Sequence, residues 1–261
     1  NQSDDNDNDN DNDDKFTFSN LINPKDSIDR TSKLYINGQQ KRPDSGYNKN
    51  IFNNFGDYIG DVGDGNRKDI RDAVEAAYKC NEWHKLSSHN RAQIIYFLAE
   101  NLDIRSSEFT QRIMTMTGKS EIDASKEVEE SISRIFSYAA WTDKYDGSVH
   151  STPMRNVTIS MNEPLGVLGI ICPSNFPLLG FISLIIPPLC VGNRVIVIPS
   201  SKYPLSATDF YQILDTSDII PGAVNIVTGN RDLLSQTLVE HNNVDGIWYF
   251  GTKNGSKNIE N

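Results

Sequence analysis

Four short apolar stretches, separated by helix-length intervals, restrict what this chain can fold into. They read Gly166-Val167-Leu168-Gly169-Ile170-Ile171, Arg194-Val195-Ile196-Val197-Ile198, Ala223-Val224-Asn225-Ile226-Val227 and Ile247-Trp248-Tyr249-Phe250. A strand solvated on one side alternates apolar and polar residues, whereas one that is apolar throughout must be covered on both faces. The intervals 178–189, 205–214 and 232–241 are each long enough for a helix. Strand, helix, strand at this spacing predicts parallel crossover units, hence an α/β fold with a doubly wound, Rossmann-like parallel sheet.

The residues upstream read differently. Leu34-Tyr35-Ile36 before Asn37-Gly38 predicts a strand entering a tight hairpin turn, and Tyr58-Ile59 a second strand within the glycine-punctuated region 56–65. Asn66 is placed to cap a helix carrying Ile70, Val74, Ala77 and Tyr78 at helical spacing. A second helix is expected after Ser88, continuing past Asp103 through Phe109 and Ile113 to Gly118. A third, over 119–145, would bury Ile122, Val128, Ile132, Ile135, Phe136 and Trp141. Its glutamates Glu121, Glu127, Glu129 and Glu130 read as a solvated face near the positive helix end. Val157 to Met161 alternates like a half-exposed strand. A helical front half thus packs onto an α/β sheet.

Charge narrows the partners. The net charge of −10 argues against nucleic acid or anionic membrane as the main partner. Seven aspartates among the first 14 residues leave only −3 for the remaining 247. That Asn/Asp alternation has nothing apolar to bury, so residues 1–30 read as a disordered, low-complexity tail or linker. A calcium loop starting at Asp5 would need glycine where Asn10 stands and glutamate where Phe16 stands. A first residue of Asn suggests a piece of something longer. Cys80, Cys172 and Cys190 have neither metal-binding spacing nor an even number for a disulfide framework, so no metal site is expected. The apolar run from Phe176 to Val191 is interrupted by Pro177, Gly180, Pro187 and Pro188, which excludes a membrane span there. A reducing, cytoplasmic setting is the expectation.

Ligands of open α/β sheets bind beyond the carboxyl ends of the strands. Four loops lie there: 172–177, 199–204, 228–231 and 251–256. In Pro173-Ser174-Asn175-Phe176-Pro177 the asparagine is held between two prolines, and its amide can donate to a developing oxyanion. Gly251-Thr252-Lys253-Asn254-Gly255-Ser256 follows a strand and opens a helix, where backbone N–H groups can receive phosphate. It matches neither a GxGxxG fingerprint nor a P-loop.

Taken in order, these segments resemble the aldehyde dehydrogenase superfamily. Pro173-Ser174-Asn175-Phe176-Pro177 is similar to its Pro-Trp-Asn-Phe-Pro segment, and Gly192-Asn193-Arg194-Val195-Ile196-Val197-Ile198-Pro199 to its Gly-Asn-Thr-Val-Val-x-Lys-Pro strand. Pro221-Gly222-Ala223-Val224-Asn225-Ile226-Val227-Thr228-Gly229 resembles its Pro-Gly-Val-Val-Asn-Val-Val-x-Gly. Asn66-Arg67-Lys68-Asp69-Ile70 with Trp248-Tyr249-Phe250-Gly251 looks most like the second, non-catalytic-looking module of aldehyde dehydrogenase family 16.

The resemblance implies NAD or NADP as cofactor and oxidation of an aldehyde to a carboxylic acid. In that family a cysteine thiolate attacks the aldehyde, hydride passes to NAD(P)+, and a glutamate activates water to hydrolyse the thioester. It places Asn175 in the oxyanion hole and Pro199, Ser201, Gly229, Gly251 and Thr252 at the cofactor. The family's nucleophile and glutamate lie downstream of the loop at Gly251, so residues 31–261 are expected to form the N-terminal half of the domain, catalytically incomplete alone. The three cysteines read as core residues, and His84, His89, His150 and His241 form no base constellation.

The chain departs from the family pattern at several positions. The lysine that contacts the adenosine ribose is Ile198, its acidic neighbour is Ser201, the motif tryptophan is Ser174, and Gly255 falls one residue early. Loss of one polar ribose contact costs about 1–3 kcal/mol, so cofactor binding is expected to be weakened. Two functions follow: an NAD(P)-dependent aldehyde dehydrogenase, or a non-catalytic scaffold module that assembles with a catalytic sister domain. A generic dinucleotide binder is the weaker third. Residues 149–163 resemble the family's oligomerisation hairpin, which implies a homo-oligomer or docking to a sister module.

Overall fold

The computed structural model describes residues 31–260, and the expected tail at 1–30 lies outside the described residues. The chain opens with hairpins β1 (Leu34–Ile36), β2 (Gln39–Lys41) and β3 (Asn48–Phe52), β4 (Tyr58–Gly63). Helices α1 (Arg67–Lys79), α2 (Glu82–Lys85), α3 (Ser88–Ile104), α4 (Ser106–Thr117) and α5 (Glu121–Thr142) follow, then the hairpin β5 (Ser148–His150), β6 (Thr158–Ser160). The crossover units are β7 (Val167–Ile171), α6 (Pro177–Cys190), β8 (Arg194–Ile198), α7 (Leu205–Asp209), α8 (Tyr211–Asp215), β9 (Val224–Ile226), α9 (Arg231–Val239), β10 (Gly246–Tyr249) and α10 (Lys253–Glu260).

The main sheet runs β10-β7-β8-β9-β1-β2. Strands β10, β7, β8 and β9 are parallel, and the β1–β2 hairpin closes one edge antiparallel to β9. Every residue of β7, β8 and β9 is buried, as unbroken apolarity predicts. Alternation along the strands then sorts the core. Leu168, Ile170, Val195, Val197, Val224 and Ile226 pack with α3, α5 and α6, while Val167, Ile171, Ile196 and Ile198 pack with α1 and α9.

The hairpin turn at Asn37-Gly38 has φ of 55° and 68°, both left-handed, as a tight primed turn requires. Buried Asn225 ties that turn to the sheet. Its Oδ1 accepts the Asn37 N–H at 2.9 Å and its Nδ2 donates to the Gly222 carbonyl at 2.8 Å.

Several sequence expectations change. The long second helix is two, because Arg105 leaves helical geometry (φ −104°, ψ 14°) and redirects α4 against α5 and α7. The interval 205–214 likewise splits at Phe210, which is buried at the junction. Ile122 and Trp141 are 81% and 66% exposed. The covered stripe of α5 runs instead through Ala124, Val128, Ser131, Ile135 and Ala139, and it includes Glu127. Strand β6 is exposed along its length rather than half covered.

Asn225→Ala should remove the tie to the hairpin turn and the bond to Gly222, leaving the Asn37 N–H without its acceptor. The expected loss is roughly 1–3 kcal/mol, read as a lower urea midpoint at unchanged m-value.

Candidate functional site

The strand order places the crevice. From β7 the chain steps outward to β8 and β9, then returns across β7 to β10, so the direction of winding reverses between β7 and β10. Ligand crevices of open α/β sheets lie at such reversals, outside the carboxyl ends. The loops after β7, β8, β9 and β10 meet here. The Cys172 N–H donates to Ile198 O at 2.9 Å and the Phe250 N–H to Ile171 O at 3.0 Å. The Ser200 hydroxyl donates to Ser174 Oγ at 3.2 Å, and the Ser201 hydroxyl to Gly229 O at 3.5 Å.

The loop after β7 holds Asn175, whose side chain is exposed and makes no hydrogen bond among the described residues. Phe176 follows with φ 53°, a left-handed conformation that costs a bulky residue on the order of 1–3 kcal/mol. It ends directly in α6, whose first residue is Pro177 and which has no side-chain cap of its own. The acceptor comes from α5. Glu127 Oε1 receives the N–H groups of Leu178 at 3.0 Å and Leu179 at 3.3 Å. Its Oε2 takes the Lys119 ammonium at 2.7 Å, with the glutamate side chain only 1% exposed. A buried carboxylate at a helix N-terminus satisfies orphan donors and meets the positive dipole end. Lys119 Nζ also stands 4.3 Å from the centroid of the Phe176 ring, pinning the strained residue beside Asn175.

Glu127 is therefore not part of a solvated face, as the charge pattern suggested. Its spacing on α5 placed it beside the apolar stripe, but only the approach of α6 gives it a reason to be there. The legible signal was at the other end: a helix beginning Phe176-Pro177 offers no cap and must take one from elsewhere.

The loop after β8 folds around a hydroxyl. Buried Ser200 Oγ accepts the N–H of Tyr203 at 3.1 Å and of Lys202 at 3.3 Å. Pro199, Ser200, Ser201, Thr228 and Gly229 line a cavity of about 10 Å³ with Lys49 from β3. Lys49 donates from Nζ to the Ser201 carbonyl at 3.3 Å. Ile198, fully buried on the α1 and α9 side, presents no polar atom. Gly229 is required by its backbone, since φ is 153° and a Cβ would come within 2.9 Å of Gly65 O.

At the loop after β10, Gly251 and Thr252 are exposed and Thr252 Oγ1 accepts the Gly255 N–H at 3.1 Å. The Tyr249 hydroxyl accepts the Thr252 N–H at 3.3 Å, so a phenol stands at the start of α10. A Cβ on Gly251 or Gly255 would lie 2.2 Å or 1.7 Å from that oxygen, so the ring fits only between two glycines. A phenol that accepts one N–H keeps its own proton for donation. The Tyr249 and Thr252 hydroxyls thus stand together at the start of α10, each with its own proton to donate.

Among the described residues no cysteine is a ready nucleophile. Complete burial pushes the Cys172 thiol far above its ordinary range, burial raises Cys190 to about 11, and Cys80 is also raised by burial. A thiolate is the reactive form, so these three are core sulfurs, as their sequence setting suggested. Desolvation, and behind it the charge of Arg194, holds His84 below its ordinary value, and its Nδ1 is buried without a partner. No group of three or more metal-ligating side chains occurs among the described residues.

Glu127→Gln should keep an acceptor for the α6 amides but leave the Lys119 ammonium without its counter-charge. Expected are a loss of about 1–3 kcal/mol and faster hydrogen exchange at the Leu178 and Leu179 amides. Unchanged exchange there would show that α6 is capped by other means.

Comparison with known proteins gives one answer. A model of the aldehyde dehydrogenase family matches residues 44–261. An aldehyde dehydrogenase of Agaricus bisporus is 34% identical over 201 residues, covering 76% of this chain and 40% of that protein. Retinaldehyde dehydrogenase 3 of Rattus norvegicus is 30% identical over 236 residues, covering 88% and 46%. A solved variant of an aldehyde dehydrogenase from Bacillus cereus superposes with a TM-score of 0.85 at 26% identity, over 88% of this chain and 48% of that one. A Staphylococcus aureus betaine aldehyde dehydrogenase solved with NAD+ superposes equally well, at 0.85 and 22% identity, over 88% and 48%, a likeness of fold alone. The chain spans less than half the length of each of these proteins. With its parallel sheet, its Asn175 loop and its front helices in the family's order, this chain belongs to the aldehyde dehydrogenase family.

Proposed function

We propose that this chain supplies the dinucleotide-binding part of a protein that oxidises an aldehyde to a carboxylic acid with NAD or NADP. The observation that carries this reading is the position of Asn175: exposed at the reversal of strand winding, and held there by Phe176, Lys119 and Glu127. Its amide donates to the oxygen of a carbonyl under attack, where negative charge develops. Pro199, Ser201 and Gly229 receive the adenosine end of the cofactor, and Gly251, Thr252 and the Tyr249 hydroxyl the phosphates. A nicotinamide held there would supply the hydride acceptor. The thiolate has to come from outside residues 31–260, because the three cysteines here are buried and hard to ionise; the family resemblance puts the general-base carboxylate downstream as well. Within the family, the segments at Asn66 and Trp248 favour the second module of aldehyde dehydrogenase family 16, and the setting is cytoplasmic.

A second reading, a non-catalytic scaffold that assembles with a catalytic sister module, is favoured by one observation. Ile198 is an apolar, fully buried residue where the family places a ribose-binding lysine. Calorimetric titration with NAD+ and NADP+ separates the two. Saturable binding of either supports the first reading, and none at millimolar concentration supports the second. If Asn175 serves the oxyanion, Asn175→Ala in the complete protein lowers kcat roughly 10²–10³-fold and leaves cofactor affinity unchanged.

Both readings share an assembly surface. On the β5–β6 hairpin and the residues around it, Val149, Met154, Val157, Ile159, Met161 and Leu165 are all exposed. An apolar run of this kind on an exposed strand is a template for pairing with another chain. The hairpin pairs between subunits or against a sister module. Sedimentation should give an oligomer that Ile159→Lys with Val157→Lys dissociates; a monomeric parent protein would rule this out.

A further inference from the structure

We infer that the groove between α3 and α5 is a docking site for a basic amphipathic helix of a partner protein. The inference is independent of the chemistry at the carboxyl ends of the strands. The groove encloses about 640 Å³ and is open to solvent along its length. Its α5 wall is one helical stripe, Glu129, Ile132, Ser133, Phe136, Ser137 and Ala140, which spans roughly three turns. Tyr96 and Asp103 come from α3. The two helices run antiparallel, because Tyr96 meets Phe136 with ring centroids 6.0 Å apart and His89 meets Asp143 at 3.9 Å. Asp103 and Glu129 each lie two turns beyond the aromatic pair on their own helices, so both carboxylates stand roughly 10 Å from it at the same end.

The groove is therefore polarised, aromatic at one end and acidic at the other. No lysine or arginine lines it. The Asp103 carboxylate has no hydrogen bond or ion pair among the described residues, and Glu129 accepts only the Ser125 hydroxyl, at 2.9 Å. The nearest arginine in sequence, Arg105, is engaged with Glu108 at 3.2 Å. Asp103 also sits in the last turn of α3, where the helix dipole is negative and a carboxylate is unfavourable. The local potential thus calls for a cation that the described residues do not supply. Charge complementarity and shape then select the occupant. A small ligand in an open trough would leave much of its surface in water, whereas a helix lays one face along it. An apolar anchor at position i of that helix reaches Tyr96 and Phe136, and Lys or Arg at i+7 reaches the carboxylates, because all three helices share the same rise per turn. The same carboxylates repel nucleic acid and anionic bilayers.

The probe is an amidated Ala/Gln-based peptide of about 15 residues, with Leu on one face of its first turns and Lys on the same face of its last ones. Titrated by calorimetry into the purified chain, it should bind saturably, and its Lys→Glu counterpart at least about tenfold more weakly. Asp103→Lys with Glu129→Lys should invert that order, so that the glutamate peptide becomes the tighter ligand. Both side chains are exposed, and matching circular dichroism would show that the variant is folded. Tyr96→Ala should weaken both peptides alike. Absence of saturable binding at millimolar peptide, equal affinity for the two peptides, or a preference unchanged by the charge reversal would each overturn the assignment. Octylammonium chloride binding as tightly as the lysine peptide would overturn it too, by making the groove a small-molecule site.

Discussion

A parallel sheet buried on both faces is the constraint from which the rest of this structure follows. Strands β7, β8 and β9 expose no residue to water, so helices must cover each side and the connections can surface only at the strand ends. Polar chemistry has no place inside such a layer. It collects where four loops emerge together at the carboxyl ends, and the reversal of winding between β7 and β10 opens a crevice among them. The front helices extend the same logic. The apolar stripes of α3 and α5 cover one face of the sheet with α6, while α1 covers the other with α9.

One long-range contact joins the helical layer to the site. Glu127 leaves the buried stripe of α5 to cap α6, and its partner Lys119 lies over Phe176. The strained backbone beside Asn175 is thus held by two groups, the Glu127 carboxylate and the Lys119 ammonium. Such positioning accounts for a buried carboxylate that stability alone would not favour. Removing a charge pair from water costs several kcal/mol unless the remaining lone pairs are satisfied, and here two backbone amides satisfy them.

The residues that differ from the family pattern show how local the changes are. Ile198 is accommodated because its side chain points into the α1 and α9 core, where an aliphatic group packs well. Ser201 accepts the Lys49 ammonium on its backbone carbonyl. At the loop after β10, Tyr249 threads its ring between Gly251 and Gly255 and brings its own hydroxyl to the start of α10. The fold that frames the crevice is that of the aldehyde dehydrogenase family, and the polar groups near it come from β3, the loop after β8 and β10.

Apolar patterning, turn residues and a capping signal determined the parallel sheet, the Asn37-Gly38 hairpin, the cap at Asn66 and the loops that carry Asn175, Ser201, Gly229 and Thr252. These follow from nearest-neighbour geometry: side-chain alternation, φ preferences and capping act within a few residues of each other. Glu127, Lys49, the break at Arg105 and the exposure of Ile122 and Trp141 were decided by the tertiary structure. Each depends on which element arrives from more than a few residues away. Glu127 is buried because α6 comes to rest on α5, and Lys49 reaches the site because a hairpin 152 residues from Ser201 folds beneath it. A charge pattern shows that a helix face can be solvated; only packing shows what is set against that face instead of water.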